Sequence, residues 1–325
     1  MKRCQNYIFF VYMNTRIDRS EAFKCAEEGD IQGIQKQLDL GMPISASDST
    51  GMTCLLFAAK AGKLDLVQYL LEQNASLVER DTDGDSAVLY STAHGHVEVT
   101  RWLLDNGANI NDADLNRNTL WHGACFKGRL EMAKYLYSIQ VDTLSCDIDG
   151  DYDFHLAVQG NCTELVKYLI EIKPSKIDIL NERNGKTPLH YAAELHNLEI
   201  IQLLISSGAS YIIKDNSGTT PLLSIFNRAT LINVSVNLVE YLMKLPDAPL
   251  FEESNDGNNF AFKVVTSLKG EDRMNCIEYL ISNGCDIFHT NDDGVSIMNL
   301  AEKDNEFKLD LERILRMKRT KNAMR

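Results

Sequence analysis

The feature of this chain that most restricts its fold is a turn sequence that recurs along it, at first every 33 residues. The turns begin at Asp48, Asp81, Asp114, Asp147, Glu182, Asp215, Ser254 and Asn291. Seven of these eight turns carry glycine as the fourth residue, which permits the positive φ of a tight turn. A period of this length is typical of a solenoid, in which each repeat buries its apolar face only against its neighbours.

Each turn is predicted to lead into a short helix, and the sixth repeat shows this most clearly at Asn184–Ala193. There Thr187 is placed to cap the helix with its hydroxyl group, and Pro188 suits the first helical position, where a missing N–H costs nothing. Apolar residues at helical spacing then predict a second helix, as at Leu64 and Val67 in the second repeat. Neither helix could bury its apolar face alone, so the repeats are expected to stack.

The stretch Thr187–His190, which reads Thr-Pro-Leu-His, resembles the signature of the ankyrin-repeat family. The resemblance implies an all-α fold, an ankyrin-repeat solenoid of about nine helix-turn-helix repeats joined by β-hairpin-like loops. The predicted repeat domain covers residues 15–316. It follows an N-terminal extension at residues 1–14 and precedes a basic C-terminal tail at residues 317–325.

Several repeats depart from the family pattern. In the fourth repeat Arg117 replaces the turn glycine and Leu120 replaces the proline, and in the fifth repeat Tyr152–His155 replaces the motif. The seventh and eighth repeats are lengthened near residues 228–235 and 268–273. Both insertions fall between the first and the second helix, so they should project from one edge of the stack, where loops often carry function.

Neither end of the chain is predicted to enter a membrane. Tyr7–Met13 is apolar and follows a basic start, but it is too short to span a bilayer and no small-residue cleavage site follows it. We interpret this run either as an extra strand or helix that covers the first repeat, or as sequence upstream of a true start at Met13. The basic tail has three interpretations: a nuclear-import signal, a contact with anionic lipid, or a solvated helix end.

The acidic balance of the chain limits its partners. A net charge of -13 argues against a general nucleic-acid binder, because phosphate repulsion would have to be overcome locally. A cationic protein surface is easier to accommodate. We therefore expect a monomer that binds a protein partner with a basic segment, and no nucleic-acid or membrane partner.

The cysteines and histidines do not form a recognisable metal site. Eight cysteines are scattered, and no two stand at Cys-x-x-Cys spacing, so a zinc site is not expected. Cys25, Cys54 and Cys125 fall at or beside small helix-packing positions, so they are predicted to be reduced core thiols of a cytoplasmic or nuclear protein. Four histidines stand where the family has a structural histidine: His96, His122, His155 and His190. Acidic stretches from Asp81 and Asp147 suggest calcium loops, yet their twelfth residues are Thr92 and Val158 rather than glutamate. No metal or other cofactor is expected.

An aromatic residue recurs at one position of the second helix, as at Tyr69, Trp102 and Tyr135. A ligand-stacking stripe is one interpretation. Packing of repeat against repeat is the one we favour, because a repeated position faces the same neighbour each time. Trp102 is accordingly predicted to be a buried packing residue.

The resemblance implies that the chain recognises a protein through the concave face, with the hairpin tips and the exposed end of each first helix. The predicted partner-binding residues at the family's variable positions are Thr82, Asp83, Asp85, His94, Asn116, Asn118, Phe126, Lys127, Asp149 and Asp151. Further variable positions are Ala93, Leu115, Ile148, Gln159 and Gly160. No nucleotide-binding loop, nucleophile elbow or zinc-protease motif is present, so the chain is predicted not to be an enzyme.

The acidic residues of the third to fifth fingers are expected to form a strip along one edge of the concave face. They are Asp83, Asp85, Asp112, Asp114, Asp149 and Asp151. Phe126 would add an aromatic anchor beside this strip. The strip would select a partner segment rich in lysine or arginine, although the preference of tight turns for aspartate also explains much of the acid.

Two other function classes stay open from the sequence alone. An enzyme could carry its site in the irregular seventh and eighth repeats, where a cluster of titratable groups with shifted pKa values would support it. A structural tether would instead bind through its two ends and present a featureless concave face.

The lack of a properly spaced ligand set predicts that metals do not stabilise this protein. Adding zinc or calcium should leave the melting temperature unchanged, because only a ligand that binds the native state raises it. A dose-dependent rise of several degrees in a thermal melt with either ion would contradict this prediction.

Overall fold

A computed structural model describes residues 18–227 and 236–323 of the chain. The predicted N-terminal extension lies outside these residues, as does the insertion at 228–235. The chain divides into two compact units, Met1–Leu165 and Val166–Arg325.

The first unit is built from paired helices. They are α1 (Arg19–Glu28), α2 (Ile31–Asp39), α3 (Cys54–Lys60), α4 (Leu64–Glu72), α5 (Ala87–His94), α6 (Val97–Asp105), α7 (Leu120–Phe126), α8 (Leu130–Ser138) and α9 (Asp153–Gln159). The next helix, α10 (Thr163–Ile172), begins in the first unit and ends in the second. The first helices of successive repeats, α1, α3, α5, α7 and α9, pack side by side, and α4, α6 and α8 do the same.

The second unit repeats this plan. After a 3₁₀ turn at Pro174–Lys176 it contains α11 (Pro188–Glu194), α12 (Leu198–Ser206), α13 (Pro221–Ser224), α14 (Val236–Met243), α15 (Phe260–Ser267), α16 (Gly270–Ser282), α17 (Ile297–Ala301) and α18 (Asn305–Ala323). The first helices α11, α13, α15 and α17 pack in sequence, and α14, α16 and α18 pack beside one another.

The fold class agrees with the prediction. Within the described residues, all regular secondary structure is helical apart from four isolated antiparallel bridges. The bridges join Ser47 to Thr53, Arg80 to Ser86, Ala113 to Thr119, and Thr290 to Ser296. Each bridge closes a hairpin-like loop, so the predicted all-α repeat architecture is confirmed.

Side-chain caps fix the start of the first helices. The hydroxyl group of Thr53 accepts from the Leu56 N–H, and that of Ser86 accepts from the Leu89 N–H. Such caps typically contribute about 1 kcal/mol to helix stability. In the fourth repeat Arg117 takes a left-handed φ of 64°, where the other repeats have glycine. The turn therefore keeps its shape in spite of the substitution.

Single backbone hydrogen bonds connect neighbouring hairpin tips in the first unit. The Thr82 N–H donates to the Thr50 carbonyl (2.9 Å), and the Leu115 N–H donates to the Asp83 carbonyl (3.1 Å). The next link, from the Ile148 N–H to the Asn116 carbonyl, measures 2.8 Å. The fingers of repeats two to five therefore lie side by side, as predicted.

The histidines at the family's structural position connect adjacent repeats. His122 accepts from the Thr119 N–H at Nδ1 (3.3 Å) and donates from Nε2 to the Ser145 carbonyl (3.0 Å). In the second unit, His190 makes the equivalent 2.9 Å bond from Nε2 to the carbonyl of Thr219. Their predicted structural role is confirmed.

The two tryptophans differ in depth. Trp121 is fully buried, and its Nε1–H donates to Asp153 Oδ2 at 3.0 Å. Trp102 is only half-buried, so the prediction that it is a buried packing residue is wrong. On the same helix, the Arg101 guanidinium lies 5.2 Å from the centroid of the Tyr135 ring.

None of the helices in residues 18–227 and 236–323 is long and apolar enough to cross a membrane.

The difference in burial between the tryptophans predicts different losses of stability. Trp121→Ala should lower the free energy of unfolding by about 3–5 kcal/mol, as expected for deleting a buried tryptophan. Trp102→Ala, the matched variant, should cost under about 2 kcal/mol, because its side chain is partly exposed to water. Denaturant titration of both variants checks this prediction. Equal losses of unfolding free energy would contradict the conclusion that Trp121 is buried more deeply than Trp102.

Candidate protein-binding groove

An open groove lies on the first-helix side of the first unit, beside α5, α7 and α9. We call it the first-unit groove, and its volume is about 290 Å³. Its apolar wall consists of Leu89, Phe126 and Leu156. Its acidic wall consists of Asp85, Asp114 and Asp147, which come from three consecutive hairpin turns. The site therefore draws on the third, fourth and fifth repeats.

Four of the ten predicted contact residues line the groove: Asp85, Asn118, Phe126 and Lys127. Two of the further variable positions, Ala93 and Gln159, do so as well. Four other predicted residues are exposed on the hairpin turns and do not line the groove: Thr82, Asp83, Asn116 and Asp149. These positions surround the groove without forming its walls.

The remaining two predicted residues are engaged within the protein. His94 is half-buried, and its Nδ1–H donates to the Tyr90 carbonyl at 2.9 Å. Asp151 is buried, and its carboxylate accepts from Gln159 Nε2 at 2.5 Å. The structure thus places Asp151 beneath the surface that it was expected to form.

Asp112 also departs from the predicted acidic strip. Its side chain is buried, forms an ion pair with Arg80 and accepts a hydrogen bond from the Ser86 hydroxyl group. The Arg80 guanidinium also donates to the Ala113 carbonyl in the next turn, at 3.2 Å. Asp112 therefore joins two repeats, and a continuous exposed strip of the six predicted acids does not form.

The aspartates at the start of the turns have a structural function. Asp114 Oδ1 accepts from the backbone N–H groups of Asn116 (2.8 Å) and Asn118 (2.7 Å). Asp147 Oδ1 accepts in the same way from Asp149 (2.9 Å) and Asp151 (2.8 Å). Such bonds hold a tight turn. Asp114 Oδ2 also accepts from Asn118 Nδ2 at 2.9 Å. Both aspartates therefore hold their turns and also line the groove.

Asp85 differs because it does not start a turn. Burial raises the pKa of Asp85 to about 6, and the negative charges of Asp81, Asp114 and Asp83 add to the rise, while Arg80 opposes it. Burial also raises the pKa of Asp147. The groove thus has a negative potential that a cationic group could neutralise.

Phe126 supplies an aromatic surface at the end of α7. Its side chain is 40% exposed, and Lys127 Nζ lies 5.1 Å from the ring centroid. A cation at this distance over an aromatic face is favourable by about 0.5–1 kcal/mol at an exposed site. The ring therefore already accepts a cation from its own chain.

Two of the three apolar-wall residues, Leu89 and Leu156, were not predicted from the sequence. Leu89 stands where the fourth, fifth and sixth repeats carry histidine, and Leu156 stands one position further along its helix. The replacement of histidine by Leu89 in the third repeat was a usable signal, because it removes a polar group from the groove. No sequence feature marks Leu156.

A second, polar groove of about 400 Å³ lies in the seventh and eighth repeats. Ser217, Asn255, Asp256 and Lys263 are among the residues that line it. Burial alone would raise the pKa of Asp256, but hydrogen bonds from Ser254 and Asn258 and the nearby Lys263 outweigh burial and lower it to about 2. Asp256 is thus a stably charged carboxylate at neutral pH.

No group of three or more His, Cys, Asp or Glu side chains suited to hold a metal ion occurs in the described part of the chain. Six of the seven cysteines within it are buried.

Comparison with known protein families gives one match. A family model for ankyrin repeats matches residues 22–114, 77–145, 121–215 and 154–250. The matches cover the first-unit groove and continue into the second unit. A search of curated proteins finds no match.

The environment of Asp85 predicts a pH-dependent cost to folding. Its pKa near 6 exceeds the value of about 3.9 for an unfolded aspartate, so between these values the folded state binds more protons. Stability therefore falls as the pH rises through this window, and the loss persists above it. Asp85→Asn removes the charge, so the variant should be more stable than the native chain at pH 7.5 and equally stable near pH 4.

Denaturant titration across this pH range checks the prediction. Asp83→Asn is the matched control, because its side chain is exposed at the tip of the same turn. It should give a smaller difference. A gain for Asp85→Asn that is the same at pH 4 and pH 7.5 would contradict the assigned environment.

Proposed function

Because this chain belongs to the ankyrin-repeat family, we propose that it is a non-catalytic scaffold or adaptor that binds a protein partner through the first-unit groove. Repeats of this family generally mediate protein–protein interaction. The single observation that carries the proposal is the juxtaposition of an acidic and an apolar wall in one open groove. Such a surface suits a polypeptide segment that has both charged and apolar side chains.

The partner segment that fits best is basic. A lysine or arginine side chain could lay its apolar stem against Leu89 and Phe126 and direct its charge towards Asp85. The shared negative potential of Asp85, Asp114 and Asp147 would favour this orientation, and the charge would lower the cost of keeping Asp85 ionised. Lys127 would have to leave the Phe126 ring or share it with the incoming cation.

The hairpin tips extend the contact surface. Thr82, Asp83, Asn116 and Asp149 are exposed around the groove, and Leu115 is 70% exposed at the tip of the fourth finger. Apolar residues at such tips can anchor a partner when polar residues surround them. A purely structural tether would gain nothing from this combination, so binding through the groove is the better proposal.

Charge also shapes the kinetics of the proposed interaction. The net charge of -13 should attract a basic segment over a long range, and the local carboxylates should orient it. The association rate should therefore fall as salt is added, because salt screens this attraction. A partner that bound only by apolar contact would show no such dependence.

Affinity purification from native cells tests the proposed site. The bait variant Asp85→Lys with Phe126→Ala removes both the acidic and the aromatic feature of the groove. Glu98→Lys with Leu144→Ala is the matched control, since it makes the same types of change at exposed positions outside the groove. Proteins that bind the groove should be retained by the native chain and by the control, and lost at least tenfold with the groove variant.

Thermal melts of both variants confirm that they remain folded. Partners retained equally by the native chain and the groove variant would contradict the proposal. For each protein that depends on the groove, the association rate is then measured at several salt concentrations. An association rate that does not change with salt would contradict a basic partner segment. The groove would then remain the proposed binding site for a partner of another chemistry.

A further inference from the structure

The second unit has a groove of its own between the second helices α16 and α18. Its volume is about 420 Å³, and we call it the α16–α18 groove. From α16 it receives Glu271, Met274 and Glu278. From α18 it receives Glu306, Asp310, Arg313, Ile314 and Met317. It shares no residue with the first-unit groove.

The spacing of these residues makes one continuous helical face. Positions 306, 310, 313 and 317 are separated by four, three and four residues, so they align along one side of α18. They span eleven residues, which corresponds to about 16 Å of helix. The face is therefore long enough to contact three turns of another helix.

The face has apolar residues that a partner could cover. Ile314 is buried at the base of the groove, whereas Met317 is 42% exposed and Leu309, on the adjoining side of α18, is 68% exposed. Met274 is half-buried on the α16 side. Methionine side chains are flexible and adapt to the surface that they contact. This combination is typical of a groove that receives an amphipathic helix.

The charges on α18 are segregated along its length. Up to position 312 the helix carries three acids, Glu306, Asp310 and Glu312, and one base, Lys308. From position 313 it carries Arg313 and Arg316 and no acid. Arg316 pairs with Glu312 within the helix, at 3.4 Å and on the surface, and such exposed pairs are weak. Two copies of this helix side by side in parallel would bring like charges together. Two antiparallel copies would bring opposite charges together.

We propose that the α16–α18 groove is a self-association surface that receives α18 of a second copy of this chain in antiparallel orientation. A twofold axis opposite the middle of positions 310 and 313 would place Asp310 of each copy against Arg313 of the other. The same axis would place Glu306 opposite Met317 of the second copy, one residue from Arg316. The contact is isologous, so each favourable pair occurs twice.

A second copy fits this surface better than an unrelated protein, because the same helix carries both halves of the complementary charge pattern. The inference is independent of the proposed function and replaces the monomer expected from the sequence. The interface is short, and each copy carries a net charge of -13, so the dimer should be weak. We expect a dissociation constant on the order of 10–100 μM.

Sedimentation velocity of the full chain over this concentration range tests the proposal. Two reciprocal variants separate complementarity from general charge effects. The acid-half variant is Glu306→Lys with Asp310→Lys, and the base-half variant is Arg313→Glu with Arg316→Glu. In each variant alone, like charges would meet across the twofold axis. In an equal mixture of the two, every pair would again be opposite.

The native chain should shift from monomer to dimer as its concentration rises. Each variant alone should remain monomeric, which corresponds to at least a tenfold weaker association. The mixture should recover a heterodimer, which native mass spectrometry identifies by its mass. Glu98→Lys with Glu131→Lys, at exposed positions on the second helices of the first unit, is the matched control and should dimerise like the native chain.

Three results would overturn the proposal. A native chain that stays monomeric at every concentration would show that the groove does not receive a second copy. Dimers that persist in both variants would place self-association elsewhere. A folded mixture that stays monomeric would show that opposite charge across α18 does not drive the contact. Circular dichroism of each variant confirms that the helices are intact.

Discussion

The packing of each first helix against the next is the interaction on which the rest of this structure depends. A single helix pair cannot bury its apolar residues, so stability comes from contacts between repeats. The bonds between hairpin tips, such as Leu115 to Asp83, hold adjacent turns in the same register. In the repeats that have it, a histidine such as His122 adds a polar link to the next repeat. The first-unit groove exists because these repeated contacts align equivalent residues from three repeats.

Aspartate serves two purposes in this structure: it stabilises the hairpin turns, and it supplies negative charge to the groove. Asp114 and Asp147 hold their turns through carboxylate hydrogen bonds, and they also line the groove. The side chains of Asp112 and Asp151 are buried, where Asp112 pairs with Arg80 and Asp151 accepts a hydrogen bond from Gln159. Of the three aspartates that line the groove, Asp85 is the one that does not start a turn. The number of aspartates in the hairpin turns therefore does not give the number of carboxylates that are exposed for binding.

The sequence was sufficient to predict the helical repeat fold, the side-by-side fingers and the structural histidines, because a fixed period assigns each residue its place in a repeat. The sequence could not predict how deeply each side chain is buried, because the repeat period does not determine how much of a side chain its neighbours cover. Trp102 and Asp151 were misjudged for that reason. The α16–α18 groove depends on the length of α18, which exceeds the second helices of the other repeats, and no periodic pattern predicts that length.

Hydrogen–deuterium exchange of the chain with and without a partner recovered from cells tests whether the first-unit groove is the binding surface. We expect slower exchange at residues 85–93, 118–127 and 156–159 when the partner is bound, because these segments form the walls of the first-unit groove. The outer second helices α4, α6 and α8 should exchange at the same rate in both states. Protection confined to those helices, or to the second unit, would contradict this expectation.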